Sequence, residues 1–433
     1  MTKITKKSKL ILYACSGLGV NMINLIVGSY LCSALLVGGF EKNVENWTYL
    51  NRDLVAASLW AVLVFAAKII DGIIDIPFSH FTDNLRSKWG KRKTAILIGF
   101  IPMIAAYLLF LIPLNSSATI LNTVWFALVL FVFYTFYTLT MLTYYATFAE
   151  IAETQQDIVL LSNVKSICDV VYFSLGFALV PAFVSMGMNV RKVALIFLPL
   201  ALTMLIPLFM LKENNEENKT VEKRKTFMQS LLFTMKDKPF IFWLLIVFVM
   251  NSGLQLFLSG INEYFSTAGL DMTFVMASCF APVPFTILLY NKIIKSKGLA
   301  FAFRYVLAVF SIGMSLMGLC NILPQKLLFP FAICCSIIVS FSIGAFFAIT
   351  YTVPSHRAAI RNEENETASS MYFAIQGLFE GASAGFASGV LLVALKQYGG
   401  VKIMTLIVAA FCMAAFVLTF FLPKSMKSIG KGE

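Results

Sequence analysis

The apolar stretch KIIDGIIDIPF carries three ionisable side chains, Lys68, Asp71 and Asp75. A charge at the middle of a bilayer costs roughly 2.5–3.5 kcal/mol on insertion scales, so such groups are normally paired or face a polar cavity. Asp71 and Asp75 are four positions apart and therefore share one face of a helix. Two carboxylates held that close repel each other unless a cation or a shared proton lies between them. Hard oxygen ligands suit Na⁺, and a shared proton satisfies the pair as well. The chemistry expected here is reversible binding of Na⁺ or H⁺. The structural alternative is that Lys68 neutralises one acid while water reaches the other.

Directly after this stretch comes SHFTDNLRSKWGKRK, an acidic helix end followed by a tight glycine turn and a basic loop. A topology anchor needs only the basic residues. Asp83 beside Arg86, then Gly90, Lys91 and Arg92, are more patterned than that and read as a gate motif at the cytoplasmic face. Three further ionisable sites fall inside apolar runs. Lys165 and Asp169 are spaced to pair on one helix. Glu380 sits among Gly and Ala with no other charge within a turn, and Glu263 lies near the outer end of its run, at a gate or at the surface.

These residues need elements to hold them, and composition says which. Of 433 residues 59% are hydrophobic and 13% charged, and the mean hydropathy is +0.82. A soluble globule of this length cannot bury so much apolar surface, so lipid is the solvent for much of it. Runs of about 20 apolar residues, the length of a bilayer crossing, predict helices at 9–37, 54–80, 94–114, 120–149, 158–187 and 193–211. A second set falls at 240–266, 272–291, 299–322, 327–353, 368–395 and 401–422. The fold class expected is an all-α integral membrane protein of twelve transmembrane helices in two six-helix bundles. Residues 1–211 form the first bundle with the cation site, 212–238 a polar cytoplasmic linker, and 239–433 the second bundle with a short cytoplasmic tail.

With both termini inside, 24 Lys and Arg fall on the cytoplasmic side and seven on the other. That asymmetry sets the orientation in the cell membrane. It also accounts for the net charge of +12 without nucleic acid. The eight cysteines lie in apolar runs without metal-ligand spacing, as packing residues. No span holds a nucleophile–base or metal constellation, which argues against an enzyme. No cofactor is expected beyond the coupling ion.

Two six-helix halves with a charged linker resemble the major facilitator architecture. Within it, D-G-I-I-D-I-P followed by S-x-x-x-D and R-S-K-W-G-K-R-K is similar to the glycoside–pentoside–hexuronide:cation symporters, the melibiose-permease group. The specific motif covers Lys68 to Lys93, and the layout covers the whole chain. Ile76 stands at that family's proline position, Pro77 comes one step late, and Ser79 replaces a glycine. The charge spacing is intact.

The resemblance implies cation-coupled symport of a sugar, glycoside or related small solute by a monomer. It places Asn21 of the first helix at a polar substrate contact and the Thr138 hydroxyl beside the cation site of Asp71 and Asp75. Tyr145 falls where an aromatic stacks on sugar, and Lys165 close to a substrate-binding arginine. Met141 stands where melibiose permeases have a sugar-binding aspartate, and Glu380 where the family has a lysine. Methionine cannot make the bidentate hydrogen bonds a carboxylate makes to vicinal hydroxyls, which argues against a melibiose-like galactoside. Glu380 shifts the cavity by two charge units, toward a cationic substrate, a pairing with Lys165 or a proton pathway. The alternative cargo is a lipid, lysolipid or amphipathic compound taken up or exported by the same fold. A non-transporting sensor or scaffold would have little reason to keep Asp71 and Asp75.

Overall fold

The computed structural model describes residues 6–41, 43–85, 87–151, 155–211, 234–270, 272–363, 369–423 and Met426. At some helical positions, Asp75 and Asp83 among them, it describes the backbone alone. Among the described residues the regular structure is helical throughout, without a strand. This follows from the solvent, because in hydrocarbon every backbone N–H and C=O must be satisfied within the segment.

Eleven described helices are long and apolar enough to cross a membrane. The remaining span expected from the sequence, the eighth, is divided at Pro282 into Met272–Phe280 and Val283–Lys297. Proline lacks an N–H and its ring clashes with the carbonyl four residues back, and two prolines, Pro282 and Pro284, fall together at the break. The others run Lys7–Leu35, Ala57–Asn84, Lys91–Phe110, Ile120–Ile151, Gln155–Ser185 and Val190–Met210 in the first half. The second half has Lys238–Ala268, Leu299–Asn321, Gln325–Glu363, Ser369–Gly385 continued to Gln397, and Gly400–Thr419. Counting the divided helix, these are the twelve spans numbered below in chain order.

Two compact units result. Unit 1 comprises Met1–Val37 and Asn43–Thr220, and unit 2 comprises Gly38–Lys42 and Val221–Glu433. A five-residue piece of the connection between spans 1 and 2 thus belongs with the second unit, which a division by sequence alone does not contain. Residues 212–233 of the expected linker lie outside the described residues.

Each unit repeats one local device. Gly90 and Gly298 both have positive φ, 100° and 85°, and each directly precedes a 20-residue helix, Lys91–Phe110 and Leu299–Gly318. Glycine reaches that region without a Cβ penalty, so it makes the tight reversal between spans 2 and 3 and between spans 8 and 9.

Close helix packing depends on small residues in lipid. At Gly19 of span 1 a Cβ would stand 1.7 Å from the Leu200 carbonyl oxygen of span 6. That neighbour is backbone and cannot swing aside. Gly19→Ala is expected to lower stability by about 3 kcal/mol, the upper end of ordinary overpacking, read as a lower unfolding midpoint in detergent. Gly28→Ala, whose Cβ would meet only the Tyr134 hydroxyl at 3.5 Å, is the control and should change little.

Candidate functional site

Spans 2 and 4 bring the first acid to its expected partner. The Thr138 hydroxyl donates to Asp71 Oδ1 at 2.7 Å. Thr138 is 9% exposed and Asp71 half-buried, so the contact is shielded but not closed. One turn before Asp71, the Lys68 ammonium lies 3.5 Å from the centre of the Tyr134 ring. A desolvated cation over an aromatic face is held by about 2 kcal/mol. Lys68 thus meets the ring of span 4 and also interacts electrostatically with Asp71, whose hydrogen bond is to a hydroxyl. Asp75 follows Asp71 by one turn on the same helix, and its side chain lies outside the described residues. Among the described residues no three His, Cys, Asp or Glu side chains are grouped to hold a metal ion.

The expected substrate residues of unit 1 also converge. Asn21 is 6% exposed, and its amide is fixed from both ends. Tyr137 donates to Oδ1 at 2.9 Å, and Nδ2 donates to the Tyr145 hydroxyl at 3.4 Å. The Lys165 ammonium lies 5.1 Å from the centre of the Tyr145 ring and 2.5 Å from Asp169 Oδ2. Asn21, Tyr145 and Lys165 thus form one polar patch drawn from spans 1, 4 and 5. Tyr144, next in sequence, is fully buried and donates to the carbonyls of Tyr13 and Ala14 at 2.7 and 2.9 Å. It is a packing residue.

Tyr137 is the residue that the sequence reading missed. Adjacent positions on a helix point about 100° apart, so Tyr137 and Thr138 face different neighbours. Tyr137 reaches Asn21 of span 1 while Thr138 reaches Asp71 of span 2. One dipeptide of span 4 therefore joins the acid to the polar patch. The sequence does carry a signal for it, a tyrosine directly before Thr138, the residue that the resemblance places beside the cation site.

In unit 2, Glu380 lies on span 11. Gln376, one turn earlier, donates from Nε2 to Glu380 Oε1 at 2.8 Å, and Trp243 Nε1 of span 7 donates to Gln376 Oε1 at 2.9 Å. Two further charge pairings were not legible in the sequence. Asp237, at the start of span 7, accepts at Oδ2 from Arg357 Nε and Nη2 at 2.9 and 2.6 Å and from the Tyr372 hydroxyl at 2.9 Å. Arg357 is a buried residue of a helix running to Glu363, rather than a loop cation. Glu263 is 0% exposed and accepts from Lys396 Nζ at 3.0 Å. Neither partner is a surface charge.

The gate motif is described in part. Gly90 makes the reversal, and its N–H donates to the Ser87 carbonyl at 3.2 Å. Arg92 is 5% exposed and donates from Nη1 to the Thr82 hydroxyl at 3.3 Å, tying span 3 back to span 2. Lys91 is half-buried. Arg86 and the side chain of Asp83 lie outside the described residues.

Residues 12–423 match the family described as MFS/sugar transport protein. No curated protein sequence matches the chain. Among solved structures, the nucleoside transporter NupG is similar at 14% identity and a TM-score of 0.67, over 97% of this chain and 100% of that one. A bacterial homolog of the human lysosomal transporter Spinster is similar at 14% identity and a TM-score of 0.61, over 97% of each chain. A POT family transporter in complex with a thioalcohol-conjugated peptide is similar at 13% identity and a TM-score of 0.63, over 96% of this chain and 94% of that one. At such identities the structures establish a shared fold.

Proposed function

The chain belongs to the MFS/sugar transport protein family and is a multi-pass membrane transporter, and from that premise we propose cation-coupled symport of a sugar, glycoside or related small solute by alternating access. The observation that carries this is the shielded Thr138–Asp71 hydrogen bond, with Lys68 turned onto the Tyr134 ring. Among the described residues the hydrogen bond to Asp71 is the one from Thr138 to Oδ1, so its second oxygen can take an ion, and Na⁺ or H⁺ held there offsets the cost of the buried carboxylate. Asp75 is the second acid of the site. Asn21, Tyr145 and Lys165 form the cargo wall of unit 1, and Glu380 is the cargo-facing acid of unit 2. Both termini lie on the cytoplasmic side of the cell membrane, where the Asp83–Arg92 turn gates.

Coupling in this proposal runs through Tyr137-Thr138. An ion at Asp71 fixes Thr138, and the same turn of helix sets where Tyr137 holds Asn21. Linkage requires that cargo tighten ion binding by the factor with which the ion tightens cargo binding. Tyr137→Phe removes the hydroxyl bonded to Asn21 and leaves Thr138 in place. It is expected to keep the cation effect on stability while lowering the cation dependence of cargo affinity about 5-fold or more, within the usual range of coupling energies. Equilibrium binding with and without Na⁺ reads this directly.

The test of the function is uptake into liposomes that contain the purified chain. An inward Na⁺ gradient and an inward H⁺ gradient are imposed separately, against panels of sugars, glycosides and lysolipids. Accumulation of a glycoside above equilibrium under one gradient supports the proposal. Transport indifferent to both gradients, or confined to lysolipid, removes it.

A further inference from the structure

The seat of Glu380 narrows the chemistry of the cargo. An indole N–H only donates, so Trp243 obliges Gln376 to present its Oε1 at that end, where the bond is 2.9 Å. The amide is thereby oriented, and its Nε2 is aimed at Glu380 Oε1, 2.8 Å away. Position 380 must therefore offer an acceptor to this relay, which a lysine cannot do. The relay is part of the core, with Trp243 1% and Gln376 4% exposed. The backbone is pinned as well. Asn251 Nδ2 donates to the Glu380 carbonyl at 3.1 Å and to Ser383 Oγ at 2.6 Å.

The other carboxylate oxygen is left over. Among the described residues no protein group engages Oε2, and it is not one of the buried atoms closed off without a partner. Glu380 is half-buried, and a carboxylate at membrane depth faces a polar cavity rather than lipid. No Lys or Arg of the described residues is paired with it.

We propose that Glu380 is the specificity-determining residue of the transport site, and that it selects a cationic cargo: a hydroxylated solute of glycoside type bearing an ammonium group, which donates to Oε2. The proposal rests on the transport function above. An anionic cargo such as a uronate meets an uncompensated like charge, and a neutral sugar leaves the carboxylate without a counter-charge.

The experiment is thermal unfolding of the purified full chain in Na⁺, with hexoses and methyl glycosides each supplied in neutral, 2-amino and uronate forms. The amine forms are expected to raise the midpoint most. Glu380→Gln keeps an oxygen for Gln376 and loses the charge. It should weaken the amine forms about 10- to 100-fold, as for loss of a charge-assisted hydrogen bond, and abolish their advantage over the neutral forms. Glu380→Asp, which keeps the charge, should retain the preference for amines and guards against a Gln variant that fails to fold. Larger shifts from neutral or uronate forms overturn the proposal. So does an amine preference that survives Glu380→Gln, or a wild type that responds to no member of the panel. The Na⁺ shift without any sugar, measured alongside, keeps the two ideas apart. If it, or a shift with pH alone, persists while the amine preference fails, only the cargo class is wrong; if both shifts are missing, the coupled function has failed.

Discussion

Asp71→Asn protein should remain folded, lose the rise in unfolding temperature that Na⁺ or acidification gives the wild type, and show no gradient-driven accumulation of cargo. An asparagine keeps the oxygen that accepts from Thr138, so the 2.7 Å bond between spans 2 and 4 survives. What disappears is the negative charge that makes the site worth occupying by a cation. A ligand that binds only the folded state stabilises it by about 2.7 kcal/mol at 100 times its dissociation constant, and this whole increment is at stake. Melting curves in Na⁺, Li⁺ and choline at several pH values measure it without knowledge of the cargo. A Na⁺-specific shift identifies sodium as the coupling ion, and a shift with pH alone identifies the proton. A variant that keeps either shift would place the ion elsewhere and leave Asp71 a structural acid.

Lys396→Met should be among the most destabilising single substitutions in unit 2, and adding Glu263→Gln should recover much of the loss. Glu263 and Lys396 are 0% and 7% exposed and 3.0 Å apart, so neither has water to fall back on. Removing one member of a buried pair strands the other and costs about 3–5 kcal/mol, whereas replacing both is often close to neutral. The surroundings leave little room for relaxation. Gly39, at φ 90°, lies against the Glu263 side chain, where even a Cβ would come within 3.0 Å, and the Phe40 ring is 4.8 Å from the Lys396 ammonium. The Thr267 hydroxyl donates to the Gly39 carbonyl at 2.9 Å, and the Glu41 N–H donates to Ser266 Oγ at 3.1 Å. A double-mutant cycle on unfolding free energies isolates the pair. Additive losses in the double variant would mean that the two charges stabilise the unit through separate contacts.

The spans were legible because lipid imposes a length and an apolarity that a run of residues either has or lacks. The division at Pro282 was not, since hydropathy averages over a proline that composition tolerates. Asp71 announced itself as a charge in a span. Its partner Thr138 is 67 residues away and was reached through the likeness to a family, which supplied a contact that periodicity could not. The buried pairs Asp237–Arg357 and Glu263–Lys396 join residues 120 and 133 apart. Counting charges by side of the membrane assigns such residues to water whenever they stand near the end of a run. The flanks carried a hint, because Glu263 in SGINEYF and Lys396 in LLVALKQ each stand in a run with no other charge. Tyr137 was hidden differently, by one hydroxyl whose direction only the helix phase reveals.

The docking of Gly38–Glu41 bears on how the chain could be divided. A polypeptide cut in the polar stretch between Leu211 and Thr234 would separate the six spans of each half. The C-terminal fragment would then lack the backbone that covers Glu263 and Lys396, since unit 2 includes Gly38–Lys42. Made alone, that fragment would leave the Glu263–Lys396 pair uncovered. Made together, the N-terminal fragment would bring the missing segment with it, and reassembly of the two pieces would be guided by that short loop.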